Sequence, residues 1–170
     1  PGLTLALLGS SGVGKSTLQR ALAKRLEAVD VEVVTTREPG GSPLAELVRA
    51  LALHPPDGEH WSPLAEALLM NAARSDHLDR VIRPALQSGK WVICDPSATE
   101  ARRQSRGGAL DSFEARSIAF HTEVRATFLD LARSEPDRCR LLDASKDPET
   151  VADAAWLDMQ AIMSKQMSAP

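Results

Sequence analysis

The chain is short of positive charge, cysteine, long apolar runs and internal repeats, and each shortage removes a class of protein. Twenty Lys and Arg residues stand against 23 Asp and Glu, for a formal net charge of −3, which gives no support to a nucleic-acid-binding surface. The two cysteines, Cys94 and Cys139, lie in apolar strand-like runs and read as buried thiols rather than a disulfide or a metal site. No 18-residue apolar span and no signal-peptide pattern occurs, so the expectation is a soluble, cytoplasmic protein with no membrane partner. What remains is ordinary globular composition, with 43% hydrophobic and 25% charged residues. A length of 170 residues fits a single domain over 1–170.

Against that plain background, Gly9-Ser10-Ser11-Gly12-Val13-Gly14-Lys15-Ser16 fits G-x-x-x-x-G-K-[ST] at every specified position. An apolar run, Leu3 to Leu8, reads as a buried strand before it. Thr17 to Leu26 reads as an amphipathic helix behind it. Strand, glycine loop and helix bring backbone N–H groups and a helix N-terminus together on phosphates. The pattern assigns Gly9 through Thr17 to ATP, with Lys15 reaching the β- and γ-phosphates and Ser16 ligating Mg²⁺. A glycine-rich turn with no ligand is the bland alternative.

Further along, Val31 to Thr35 is β-branched and strand-like, and it ends in the loop Thr36-Arg37-Glu38-Pro39-Gly40-Gly41. Two helix starts follow, Ser42-Pro43-Leu44-Ala45-Glu46 and Ser62-Pro63-Leu64-Ala65-Glu66, each with serine as N-cap and proline at N1. The second helix runs through Met70, Ala73 and His77 until Pro84 kinks or interrupts it. Trp91 to Asp95 is an apolar strand closing in an aspartate. Asp95 reads either as the carboxylate that organises Mg²⁺ or as a turn residue. Residues 97–112 are polar and basic, with Arg102, Arg103 and Arg106 before a Gly-Gly break. They read either as a solvated helix end or as a mobile lid bringing catalytic arginines to the transferred phosphoryl group. A helix from Asp111 to about Ser134 takes apolar contacts from Phe113, Ile118, Phe120, Val124, Phe128 and Leu131, with His121 packed among them. Residues 139–143 read as a short final strand weakened by Arg140, and Asp147-Pro148-Glu149 opens the last helix. Strands alternating with helices predict a three-layer α/β/α fold around a parallel sheet.

Taken together, the phosphate loop, the Arg37-Glu38-Pro39-Gly40-Gly41 loop, the Leu68-to-His77 helix, the strand ending at Asp95 and Arg106-Gly107-Gly108-Ala109-Leu110-Asp111 resemble the bacterial thymidylate kinases. The resemblance implies transfer of the ATP γ-phosphoryl group to dTMP with Mg²⁺, in a five-stranded P-loop kinase fold, as a homodimer. By matching position, Arg37 looks like the residue that holds the acceptor monophosphate, with Glu38 beside it in the substrate site. Arg74 looks like a second acceptor-side arginine, and Met70 stands near the place of a base-stacking aromatic. Arg102, Arg103 and Arg106 fall in the lid. A guanidinium fork matches phosphate oxygens, and transfer between two polyanions needs several fixed cations.

Four positions depart from the family pattern. Leu8 and Ser11 stand where acids are usual, Met70 where an aromatic is expected, and Ser112 where an arginine is expected. The largest departure follows Asp95. There the family continues into a substrate-binding helix and another strand, whereas this chain runs directly into Pro96 and the lid-like segment. An αβ unit of at least about 30 residues has no counterpart here, either omitted from this 170-residue sequence or deleted from the protein. The last strand is then expected to move beside the first or to leave it an open edge. Two other readings follow from these departures: a kinase for a different nucleotide, and a nucleotide-binding relative without turnover.

Overall fold

The structure, a computed structural model, describes residues 2–9, 13–56, 59–95 and 118–167. The lid-like segment 97–112, with Arg102, Arg103 and Arg106, lies outside these residues, as do Phe113, Ser10, Ser11, Gly12 and the side chain of His121.

Three parallel strands form the sheet: β1 (Thr4–Ala6), β2 (Val33–Arg37) and β3 (Trp91–Asp95), in the order β1-β3-β2. The central strand is the apolar run Trp91-Val92-Ile93-Cys94-Asp95, and all five of its residues are buried. A strand covered on both faces needs no alternation of polar and apolar residues. Its register aligns Thr4 with Val92 on one side and Arg37 with Asp95 on the other. The functional ends of β2 and β3 therefore finish level with one another.

Helices cover both faces of the central strand, but β1 is not the buried strand the sequence suggests, for Thr4, Ala6 and Leu8 are exposed at the sheet edge. On one face α1 (Lys15–Glu27) presses Leu22 and Leu26 against Trp91 and Ile93, where Ala155 and Met159 of the last helix join them. On the other, Ile82 and Ala85 meet Val92. Full burial of a side chain such as Leu26 contributes about 1.5–3 kcal/mol. Arg25 ties α1 to the last helix by donating to the Ala152 carbonyl and pairing with Asp153.

The helices α2 (Pro43–Leu53) and α3 (Pro63–His77) start where the sequence placed them. The Ser42 and Ser62 hydroxyls accept from the Ala45 and Ala65 amides at 3.2 and 3.3 Å, and each helix has proline at its start. Beyond α3 the chain does not break at Pro84. It widens into a π-turn over Leu78–Ile82 and continues as α4 (Arg83–Gln87). The wider turn lets the Arg83 amide reach the Leu78 carbonyl and accommodates a ring that lacks an N–H.

Three further expectations are corrected. Residues 139–142 pack as irregular chain and not as a strand. Arg140 is exposed and donates to the Pro136 and Cys139 carbonyls, while Leu142 packs against the core without joining the ladder. An extended segment with no neighbouring strand has no ladder to hold it. Among the described residues, β1 consequently keeps one unpaired edge. Cys139 is only partly buried, and both cysteines are free. In α5 (Ile118–Ser134) Ile118 points to solvent, 85% exposed, so it makes no core contact; Phe120, Val124, Phe128 and Leu131 are partly buried. The final helix, α6 (Pro148–Met167), closes the core against α1.

Candidate active site

The phosphate loop turns into α1 at Gly14, whose φ of 88° lies in the left-handed region that glycine enters without strain. The Thr17 and Leu18 amides both donate to the Gly14 carbonyl at 3.0 Å and close the first turn. That turn carries no acidic side chain, so the positive end of a 13-residue helix faces the loop. Lys15 is buried and its Nζ donates to the Gly9 carbonyl at 2.9 Å, which folds the ammonium back across the loop. Val13 is partly exposed and lines the cavity beside the loop.

Beneath the loop, the Ser16 hydroxyl donates to Asp95 Oδ2 at 2.6 Å. Asp95 is almost wholly buried at the end of β3. Gln19, one turn further along α1, donates from Nε2 to both the Thr36 and Ile93 carbonyls, at 2.8 and 2.7 Å. One amide thereby fixes the helix to the two strands that supply the site. Sequence reasoning missed it, because a polar residue on an amphipathic helix reads as solvated. Burial, with the Glu38 and Asp95 charges beside it, pushes the Cys94 thiol up to about 12, so Cys94 is packing and not a nucleophile.

At the end of β2 lies a second cluster of charge. Arg37 donates from Nε and a terminal nitrogen to the two oxygens of Glu46 at 2.9 and 2.8 Å, and the Gly41 amide also donates to Glu46. Burial acts to raise the Glu46 carboxyl, but the Arg37 fork and the Gly41 amide outweigh it and hold the group below the usual carboxylate range. Arg49, buried on α2, donates to the Pro39 carbonyl at 2.7 Å and pins the loop from behind. Glu38 sits between two α3 residues, with Arg74 Nε 3.2 Å from one oxygen and His77 Nδ1 3.5 Å from the other. The His77 ring first, with Arg74 assisting, keeps the Glu38 carboxyl low against its partial burial. Met70 is partly buried one helical turn from Arg74, on the same face of α3.

Lys15, Ser16 and Asp95 thus form one cluster, and Arg37, Glu38 and Arg74 form another at the adjoining strand end. The Glu38 amide donates to the Asp95 carbonyl at 3.1 Å and joins the two. Sequence reasoning did not find Glu46, Arg49 or His77 as parts of the site. Glu46 served only as a helix-start signal, and His77 only as one position in a helical period. A cavity of about 430 Å³ opens beside the phosphate loop, between Leu7, Leu8, Lys15 and Thr17 on one wall and Leu141 and Lys146 on the other. Among the described residues no group of three His, Cys, Asp or Glu side chains converges as a metal cage.

A parallel sheet with a glycine loop, a lysine opening the following helix, and a serine and carboxylate meeting at the end of the central strand defines a P-loop kinase fold. Comparison with known proteins narrows the class. The thymidylate kinase family model matches residues 9–98. A thymidylate kinase of Caulobacter vibrioides is 37% identical over 196 residues, covering 90% of this chain and 93% of that protein. One of Syntrophotalea carbinolica is 36% identical over 201 residues, with the same two coverages. The crystal structure of thymidylate kinase from Ehrlichia chaffeensis superposes with a TM-score of 0.71 at 27% identity, over 94% of this chain and all of that one. This chain belongs to the thymidylate kinase family. Both sequence alignments are longer than the chain's own 170 residues, so the relatives carry positions that have no counterpart here.

Proposed function

We propose that this chain transfers the γ-phosphoryl group of ATP to dTMP and releases dTDP and ADP. The observation that carries the reading is the Ser16–Asp95 hydrogen bond, 2.6 Å long, between the phosphate loop and the end of the central strand. Both groups offer hard oxygen donors, and a site of one hydroxyl and one carboxylate suits an ion that draws its other ligands from water and substrate phosphates. Ser16 and Asp95 would hold Mg²⁺, which when bound supplies charge neutralisation at the β- and γ-phosphates.

The rest is work for the chain's own groups. The loop from Gly9 to Thr17 wraps the ATP phosphates with amides, and Lys15 swings from the Gly9 carbonyl to the β- and γ-phosphates. The nucleoside of ATP takes the 430 Å³ cavity, whose wall begins at Thr17. Arg37 holds the acceptor phosphate, Arg74 is a second acceptor-side arginine oriented by Glu38, and Met70 covers the base as an adaptable apolar surface. Arg102, Arg103 and Arg106 act from a lid over 97–112 within the same single domain and offset charge as the phosphoryl group crosses. No helix among the described residues is long and apolar enough to cross a membrane, and we place the protein in the cytoplasm.

The reading includes a homodimer. Leu44, Leu47 and Leu51 are exposed at helical spacing on α2, and Leu64 and Leu68 are exposed on its neighbour α3. Sedimentation should give twice the 18.3 kDa chain mass, and Leu47→Glu should shift it to one.

Steady-state rates with dTMP, dUMP, dCMP, dGMP and AMP test the assignment. The expected result is a kcat/KM for dTMP at least about tenfold above the others, a preference of about 1.4 kcal/mol. A different preferred monophosphate would replace the substrate. Tight ATP binding with no acceptor phosphorylated would support the reading of a relative without turnover.

A further inference from the structure

His77 plays no part in the reading above, yet it is the most enclosed polar side chain near the acceptor cluster, fully buried in the last turn of α3. Its Nε2 lies 2.7 Å from the Thr36 hydroxyl. Its Nδ1 faces the Glu38 carboxylate at 3.5 Å, long for a hydrogen bond, and has no closer partner. The loop closes directly over the ring: a Cβ at Gly41 would come within 2.5 Å of both His77 Nε2 and the Thr36 hydroxyl. Gly41 also sits at φ 88°, so the position demands glycine twice over.

We propose that His77 is the positioning residue of the acceptor site, linking Thr36 to Glu38 and, through Glu38, setting the guanidinium of Arg74. The inference rests on the assignment of Arg74 and Glu38 to the acceptor. The proton arrangement follows from donor counting. An ionised carboxylate only accepts, so Nδ1 carries the proton toward Glu38, and Nε2 accepts from the Thr36 hydroxyl. The Thr36 carbonyl is itself held by Gln19 of α1, so the ring's support reaches back to the helix that carries Lys15 and Ser16. On the far side, Arg74 is clasped by Glu38 and by Asn71 Oδ1 at 3.0 Å. A guanidinium held from two sides is pre-oriented toward the acceptor.

The test uses the intact chain and three variants: Thr36→Val, which keeps shape and loses the donor; His77→Asn, which keeps an N–H near the Nδ1 position; and His77→Ala. Thr36→Val and His77→Ala should lower kcat/KM for dTMP about 10- to 100-fold while KM for ATP stays within about twofold. His77→Asn should recover most of the loss. Should His77→Ala fail to fold, Thr36→Val decides alone. Equal losses toward ATP and dTMP, or unchanged acceptor kinetics in Thr36→Val, would overturn the proposal. Nitrogen NMR of the His77 ring gives a readout free of turnover: a proton on Nδ1 supports the assignment, and a proton on Nε2 overturns it. Absence of dTMP turnover in the unaltered chain would overturn the functional reading, and the ring spectrum would still decide the role of His77.

Discussion

The Ser16 hydroxyl meets the Asp95 carboxylate at 2.6 Å although the two residues stand 79 positions apart in the chain. The phosphate loop and the end of the central strand are therefore one site, fixed by the parallel pairing of β1 with β3. Asp95 is 4% exposed, so its charge is spent on Ser16 and on whatever cation the site takes.

Replacing that carboxylate separates fold from chemistry. Asp95→Asn keeps the shape and a hydrogen-bond acceptor for Ser16. It should lower kcat by about 100-fold or more and raise the Mg²⁺ concentration needed for half-maximal rate. A magnesium titration of both proteins measures this.

Lys15→Met removes the ammonium and keeps an unbranched stem of similar length. The circular-dichroism melt should stay close to that of the unaltered chain, because the ammonium's bond to the Gly9 carbonyl is a loop contact and not part of the core. Turnover should fall by about 100- to 1,000-fold. A collapse of the melt would give Lys15 a structural role instead.

Acid should loosen the acceptor loop. Glu38 and Glu46 are both held below the usual carboxylate range, so their folded forms release protons more readily than the unfolded chain does. Their stabilisation is complete above the unfolded value of about 4.3 and disappears as pH falls through the lower folded values. The melting temperature should stay level from neutral pH to about 5 and then fall. Glu46→Gln should lower it at neutral pH and make the acid fall shallower.

The core prediction is simpler. Leu26 is fully buried against Trp91 and Met159, and Leu26→Ala should cost about 2–5 kcal/mol in urea unfolding followed by tryptophan fluorescence. A cost near zero would mean that α1 does not pack on the sheet as described.

Much of this was legible in the sequence because it is written locally. The phosphate loop is contiguous, the two serine–proline helix starts cap themselves within four residues, and the buried strand at Trp91–Asp95 is a continuous apolar run. The failures share a different cause. Strand character at 139–143 depended on a ladder partner, and among the described residues none pairs with it. Glu46 and His77 gained their roles only when α2 and α3 were laid against the loop after β2, bringing Arg37 and Glu38 within reach. Pro84 interrupts the α-helix as the sequence suggests, and the π-turn before it absorbs the missing amide without breaking the chain's helical course.

The central claim is acceptor phosphorylation by this chain. The most direct test is a phosphorus NMR time course of ATP, Mg²⁺ and dTMP with the 170-residue chain. The account predicts ADP and dTDP appearing in equal amounts, at a rate that falls with Asp95→Asn. Bound or slowly hydrolysed ATP with no dTDP would contradict it and leave a nucleotide-binding protein without turnover.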